Sequence, residues 1–194
     1  MRYEKGRKDA SRDRIVEVAA QRFRGDGIAA SGLAAIMGDA GLTNGAFYPH
    51  FQSKAELVRE SMVAAMETQS QQLQEALASG GPEMGIAAYL SAEHRDNPGT
   101  GCASAALLPE LARQPPETRE AYTERLLVWA RQLSAAFPRA KDPEGDALGV
   151  FATLIGTLQL ARAVAGTDLS DRILAAGADA ARRLIQPGED QKAS

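Results

Sequence analysis

The chain has 194 residues, of which 44% are hydrophobic and 24% charged, with a net charge of −3. That balance is ordinary for a soluble protein and excludes a disordered chain, and no stretch approaches the roughly 20 apolar residues that cross a bilayer, so no membrane partner is expected. A single cysteine, Cys102, permits no internal disulfide, and the charged start MRYEKGRKDASRDR lacks the apolar run of a secretion signal, so the expected location is the cytoplasm. The net charge hides an asymmetry. Residues 1–24 carry eight Lys/Arg against four Asp/Glu, whereas the chain beyond residue 60 carries twelve against seventeen. A basic excess at one end suits a nucleic-acid partner, and it also suits a solvated tail.

Along the chain, Ile15, Val18, Ala19 and Phe23 form a helical stripe that stops at Gly25-Asp26-Gly27, with residues 1–9 or so as a flexible tail. Ser31 is placed to cap a brief helix through Leu33, Ile36 and Met37, which closes at Ala40-Gly41. Thr43 then caps a third short helix with Ala46 and Phe47 on its inner face. Pro49 lies near its end, removing one backbone donor and turning Tyr48 away from helical angles. A long amphipathic helix carries Leu57, Val58, Met62, Ala65, Met66, Leu73 and Leu77 and ends at Gly80-Gly81-Pro82. Another follows through Ile86 and Leu90 to a turn at Arg95–Gly99. The run GCASAALLPELARQPP then predicts a helix kinked at Pro109. Pro116 opens a helix to Phe137, and two apolar, small-residue-rich helices span about 144–166 and 169–186. No period-two run of β-branched residues occurs, so the fold class is all-α with about nine helices.

The first three helices have the lengths and the tight turn of a helix-turn-helix with a supporting helix, an arrangement that proteins with no DNA partner also use. The residues are more specific than the spacing. SGLAAIMGDAGLTNGAFYPHFQSKAEL resembles the DNA-binding signature of the TetR family of bacterial regulators at Ser31, Ile36, Ala40-Gly41, Thr43, Gly45, Phe47-Tyr48, His50-Phe51 and Ser53-Lys54, and RIVEVAAQRFRGDG resembles that family's first helix. The resemblance spans residues 12–59. Pro49 departs from it.

The resemblance implies a DNA-binding domain over residues 1–56 and a ligand-binding and dimerisation domain over 57–194. Thr43, Asn44, Gly45 and Ala46 would meet base edges, with Asn44 the best reader because its amide pairs bidentately with adenine. Ser31, Tyr48, His50 and Lys54 would hold phosphates. Phe47 and Phe51 read as core. The implied partners are a double-stranded operator, a second copy of the chain and an unidentified small-molecule effector, with no cofactor, no metal and no enzymatic activity. For the effector pocket or sensor the candidates are Tyr89, Cys102, Leu107, Leu108, Tyr122, Trp129 and Phe151, with Glu110, Gln159 and Arg162 as polar handles. Cys102 follows Gly101 at a helix start, where the dipole favours a thiolate. For the dimer interface the candidates are Leu148, Ala152, Ile155, Gln159, Ile173, Gly177, Ala181 and Leu184, because the last two helices carry more small and apolar surface than one chain's core requires. The competing readings are a thiol-dependent enzyme using Cys102 and His94, or a protein-binding adaptor.

Overall fold

The computed structural model describes residues 2–137 and 141–185. Among them are eight α-helices and two short 3-10 segments, with no strand. The helices are α1 (Arg2–Asp26), α2 (Leu33–Asp39), α3 (Lys54–Tyr89), α4 (Ala92–Asp96), α5 (Ala103–Leu111), α6 (Pro116–Ser134), α7 (Pro143–Ala163) and α8 (Asp168–Ile185); the 3-10 segments are Asn44–Ala46 and Pro98–Thr100. The all-α class is as the sequence predicts. Residue 186 and residues 138–140 of the connector lie outside the described residues.

The start of the chain differs from expectation. α1 begins at Arg2, so residues 2–9, read above as a tail, are helical; they contain no proline and carry Arg2, Lys5, Arg7 and Lys8, residue types that propagate a helix well. The predicted break at Gly80–Pro82 is present inside α3, where Gly81 leaves helical geometry at φ 68° and ψ −168° and Pro82 cannot donate. Pro109 does not end α5, which continues to Leu111.

The chain divides into two compact units. The first comprises residues up to Thr68 with Pro98–Arg125. Its core joins Ile15, Ala19 and Phe23 of α1, Ile36 and Met37 of α2, Phe47, Phe51, and Leu57, Val58 and Met62 of α3. The second comprises Gln69–Asn97 with the chain from Leu126 onward. There α7 buries Ala147, Val150, Phe151, Leu154, Ile155, Leu158 and Ala161, and α8 buries Leu174, Gly177, Ala178 and Ala181. A Cβ on Gly177 would run into the side chain of Thr157, so the bare backbone at 177 lets the two helices approach closely. Arg162 fastens α4 by donating from Nε to Arg95 O (3.0 Å) and from Nη2 to His94 O (2.8 Å), while Arg95 pairs with Asp171 (2.6 Å) near the start of α8.

Candidate nucleic-acid interface

The turn between α2 and the next segment is a Schellman closure. Leu42 N donates to Met37 O (2.9 Å), Gly41 N donates to Gly38 O (3.0 Å), and Gly41 takes the left-handed φ of 72° that a side chain would oppose. Thr43 follows in extended conformation, and Asn44–Ala46 is a single 3-10 turn rather than the predicted α-helix. Its bonds span three residues: Ala46 N donates to Thr43 O (2.9 Å), Phe47 N to Asn44 O (3.2 Å) and His50 N to Phe47 O (2.9 Å). The shortening has a local cause. Pro49 has no N–H to give to Gly45 O, and Asn44 and Gly45 are both poor helix formers.

What remains is a short platform. Phe47 is buried, stacked on Phe51 with ring centroids 5.4 Å apart, and meets Tyr48 edge-on at 5.5 Å. With Phe47 anchored, Thr43, Asn44 and Gly45 are exposed and Tyr48 is 74% exposed. Beneath Phe51 the Arg12 guanidinium lies 5.1 Å from the ring centroid and pairs with Glu60. His50 is half-buried, its Nδ1 without a partner, and its pKa is held below the ordinary imidazole value by burial and then by the charges of Lys8 and Arg12, Asp9 opposing. A phosphate oxygen near these groups would meet two cations and oppose their effect on the imidazole.

Two expected phosphate contacts are occupied within the chain. Ser31 does not cap α2: Gly32 is the N-cap, while Ser31 is fully buried and its hydroxyl donates to Gly27 O (2.7 Å). A serine one residue upstream of the cap lies under the preceding turn and bonds to that turn's carbonyl. Lys54 donates from Nζ to Ile28 O (2.6 Å), with Phe23's ring centroid 5.9 Å away. Sequence reasoning also missed Glu110. Rather than a pocket handle, its carboxylate accepts from Ile28 N (3.1 Å, Oε1) and Ala29 N (3.0 Å, Oε2). Gly27, at φ 88°, exposes these amides in a turn too tight for a side chain. Arg162 is likewise committed, to the α4 carbonyls.

The pocket candidates fall in both units. Cys102, Leu107, Leu108 and Tyr122 belong to the first, where the Tyr122 hydroxyl lies 3.0 Å from that of Ser104. Tyr89, Trp129 and Phe151 belong to the second, where the Trp129 and Phe151 rings meet tilted by 33° with centroids 4.0 Å apart. Cys102 is 3% exposed and caps α5 without a side-chain cap bond. His94, its supposed catalytic base, directs Nδ1–H to Tyr89 O (2.7 Å), and burial lowers its pKa. A groove of about 520 Å³ on α6 is lined by Pro116, Arg119, Glu120, Thr123 and Glu124, none of them expected pocket residues. Of the interface candidates, Leu148, Ala152 and Leu184 are exposed, and Gln159 and Ile173 half-buried. Ile155, Gly177 and Ala181 are buried within one chain, because the small-residue stripe is used by the α7–α8 hairpin itself. The exposed Leu160 and Leu169 were missed.

Residues 15–61 match the family model described as bacterial regulatory proteins, TetR family. These residues carry a TetR-family helix-turn-helix DNA-binding domain. Solved structures agree over nearly the whole chain. The reduced form of E. coli NemR has a TM-score of 0.77 at 19% identity, covering 93% of this chain and 99% of that one. A TetR regulator from Chloroflexus aurantiacus has 0.75 at 22%, covering 95% and 96%, and a TetR-family regulator from Cytophaga hutchinsonii has 0.74 at 21%, covering 92% and 94%. At these identities the likeness establishes the fold. A sequence search of curated proteins finds no match. Among the described residues no helix is long and apolar enough to cross a membrane.

Proposed function

We propose that this TetR-family regulator binds a palindromic operator as a homodimer, represses transcription from it, and is released by a small effector or by modification of Cys102. The observation that carries the reading is the exposed Thr43-Asn44-Gly45 edge seated on the buried Phe47–Phe51 pair. Residues 1–56 are the DNA-binding part and residues 57–194 the sensing and pairing part. Asn44 reads a base, Tyr48 and His50 hold phosphates, and Thr43, Gly45 and Ala46 bring the backbone close.

Homodimerisation is supported by the apolar side chains that α7 and α8 leave in solvent, Leu148, Leu160, Leu169 and Leu184, with Leu160 at 62% exposure. A twofold axis there doubles the recognition edge, and two half-sites one helical turn apart follow. An effector site is supported by the tilted Trp129–Phe151 ring pair together with Gln132, about one helical turn from Trp129, whose buried Oε1 has no hydrogen-bond partner. The thiol route is supported by the position of Cys102 at the start of α5, within electrostatic reach of Arg24. A footprint on the DNA just upstream of the protein's own coding sequence tests the reading. A protected, twofold-symmetric site lost at high salt supports it; no protection at low salt refutes it.

A further inference from the structure

We infer that Glu110 and Lys54 form a positioning relay through one peptide group, and that this relay sets the placement of the connector carrying α2 and the recognition edge. The inference deepens the DNA-binding reading and rests on it for its functional consequence. The peptide joining Ile28 to Ala29 is held at both ends. Its carbonyl accepts from Lys54 Nζ at 2.6 Å, and its N–H donates to Glu110 Oε2 at 3.0 Å. A cation on the oxygen and an anion on the hydrogen both increase the dipole of the same peptide, so each bond strengthens the other. Glu110's second oxygen takes the preceding amide, Ile28 N, at 3.1 Å.

The connector is built to receive this carboxylate. Gly27 turns at φ 88°, and a Cβ there would come within 3.0 Å of Glu110 Oε1. Ser31 closes the other side by donating from both N (3.2 Å) and Oγ (2.7 Å) to Gly27 O. Three helices therefore meet at one turn: α1 ends in it, Lys54 is the first residue of α3, and Glu110 lies in the last turn of α5. The 3-10 segment that leads into α5 is tied to α1 as well, since Arg24 Nε donates to Gly99 O at 2.8 Å. Movement of α5 is thus felt at the turn from which α2 departs, and Lys54 acts as a positioning residue in the free protein.

The test is a double-mutant cycle with Glu110→Gln, Lys54→Met and the pair. Two readouts are used: amide hydrogen exchange of Ile28 and Ala29, and affinity for the duplex that wild type enriches from a random pool. Glu110→Gln is expected to speed exchange at these two amides about tenfold while leaving Ile36 and Met37 unchanged, and to weaken duplex binding several-fold with an unchanged salt slope, because no phosphate contact is lost. The cycle is expected to be non-additive, the second substitution costing less once the first is present. Global unfolding with equal acceleration at all four amides would assign the pair a merely structural role and overturn the relay. So would additive effects or unchanged exchange at Ala29. If wild type enriches no duplex, the DNA-binding reading fails, and exchange at Ala29 across the four proteins still decides the relay.

Discussion

Between Thr43 and His50 the backbone is held by three-residue bonds and two buried aromatic rings, and most of its polar side chains face solvent. Between Pro143 and Ile185 two long helices bury a continuous set of small and branched side chains against each other, and the surface they leave mixes charged residues with the exposed Leu148, Leu160, Leu169 and Leu184. The first region spends little burial and keeps its chemistry free; the second commits most of its sequence to burial. A recognition edge depends on a few anchors that fix where it stands, whereas a helical hairpin depends on many interchangeable contacts. Changes in the first should therefore separate stability from DNA reading, and changes in the second should not.

The largest effect is expected from removing an anchor. Phe47→Ala should cost about 3–5 kcal/mol, as for other buried aromatics, and lower the urea midpoint accordingly. An unchanged midpoint would mean that the edge does not rest on this ring. In the hairpin, Gly177→Val should cost about 1–3 kcal/mol by overpacking against Thr157, and Thr157→Ala should recover part of that loss in the double variant.

Asn44→Ala comes next and should divide the two regions most cleanly. Because Asn44 is exposed, stability should stay within about 0.5 kcal/mol. Discrimination at one base pair per half-site should nevertheless fall by about 1–3 kcal/mol, read by competition between duplexes differing at that pair. Equal loss for all duplexes would make Asn44 a phosphate contact.

The smallest effect is the titration of His50. Burial and the nearby Lys8 and Arg12 lower its pKa in the folded protein, so the unfolded chain holds more protons as pH falls below the ordinary value of about 6.5. Stability from this group is present above that pH and is lost as pH falls through the folded value. His50→Gln should flatten that slope in denaturant titrations. If His50 holds a phosphate, binding raises its pKa, so DNA binding takes up a proton and strengthens as pH falls; proton release on binding would remove His50 from the interface.

The same contrast explains what could be read from sequence. The hairpin was legible as two helices because its apolar period runs for many residues, yet the surface assigned to a partner was partly wrong: Ile155, Gly177 and Ala181 fill the chain's own hairpin. Periodicity shows which face is apolar and not what covers it. The turn at Ala40-Gly41-Leu42 and the aromatic anchors were legible because each has one dominant local cause, a left-handed glycine and a large apolar ring. The length of the third helix was not, since Pro49, Asn44 and Gly45 each weaken it only modestly. Ser31 and Lys54 were assigned outward by resemblance, while the structure turns both onto the α1–α2 connector. Glu110 lies about 80 residues from the amides it holds, a separation at which a lone carboxylate carries no local signal.

The central claim is that the Thr43–Ala46 edge of the TetR-like domain reads DNA. Selection of binding sites from a random duplex pool, run in parallel with wild type and Asn44→Ala, tests it most directly. The account predicts that wild type enriches a palindrome whose half-site centres lie about 34–36 Å apart, and that Asn44→Ala relaxes the preference at one symmetric position while retaining the rest. Enrichment of no common sequence by wild type, or of an identical sequence by both proteins, would contradict it.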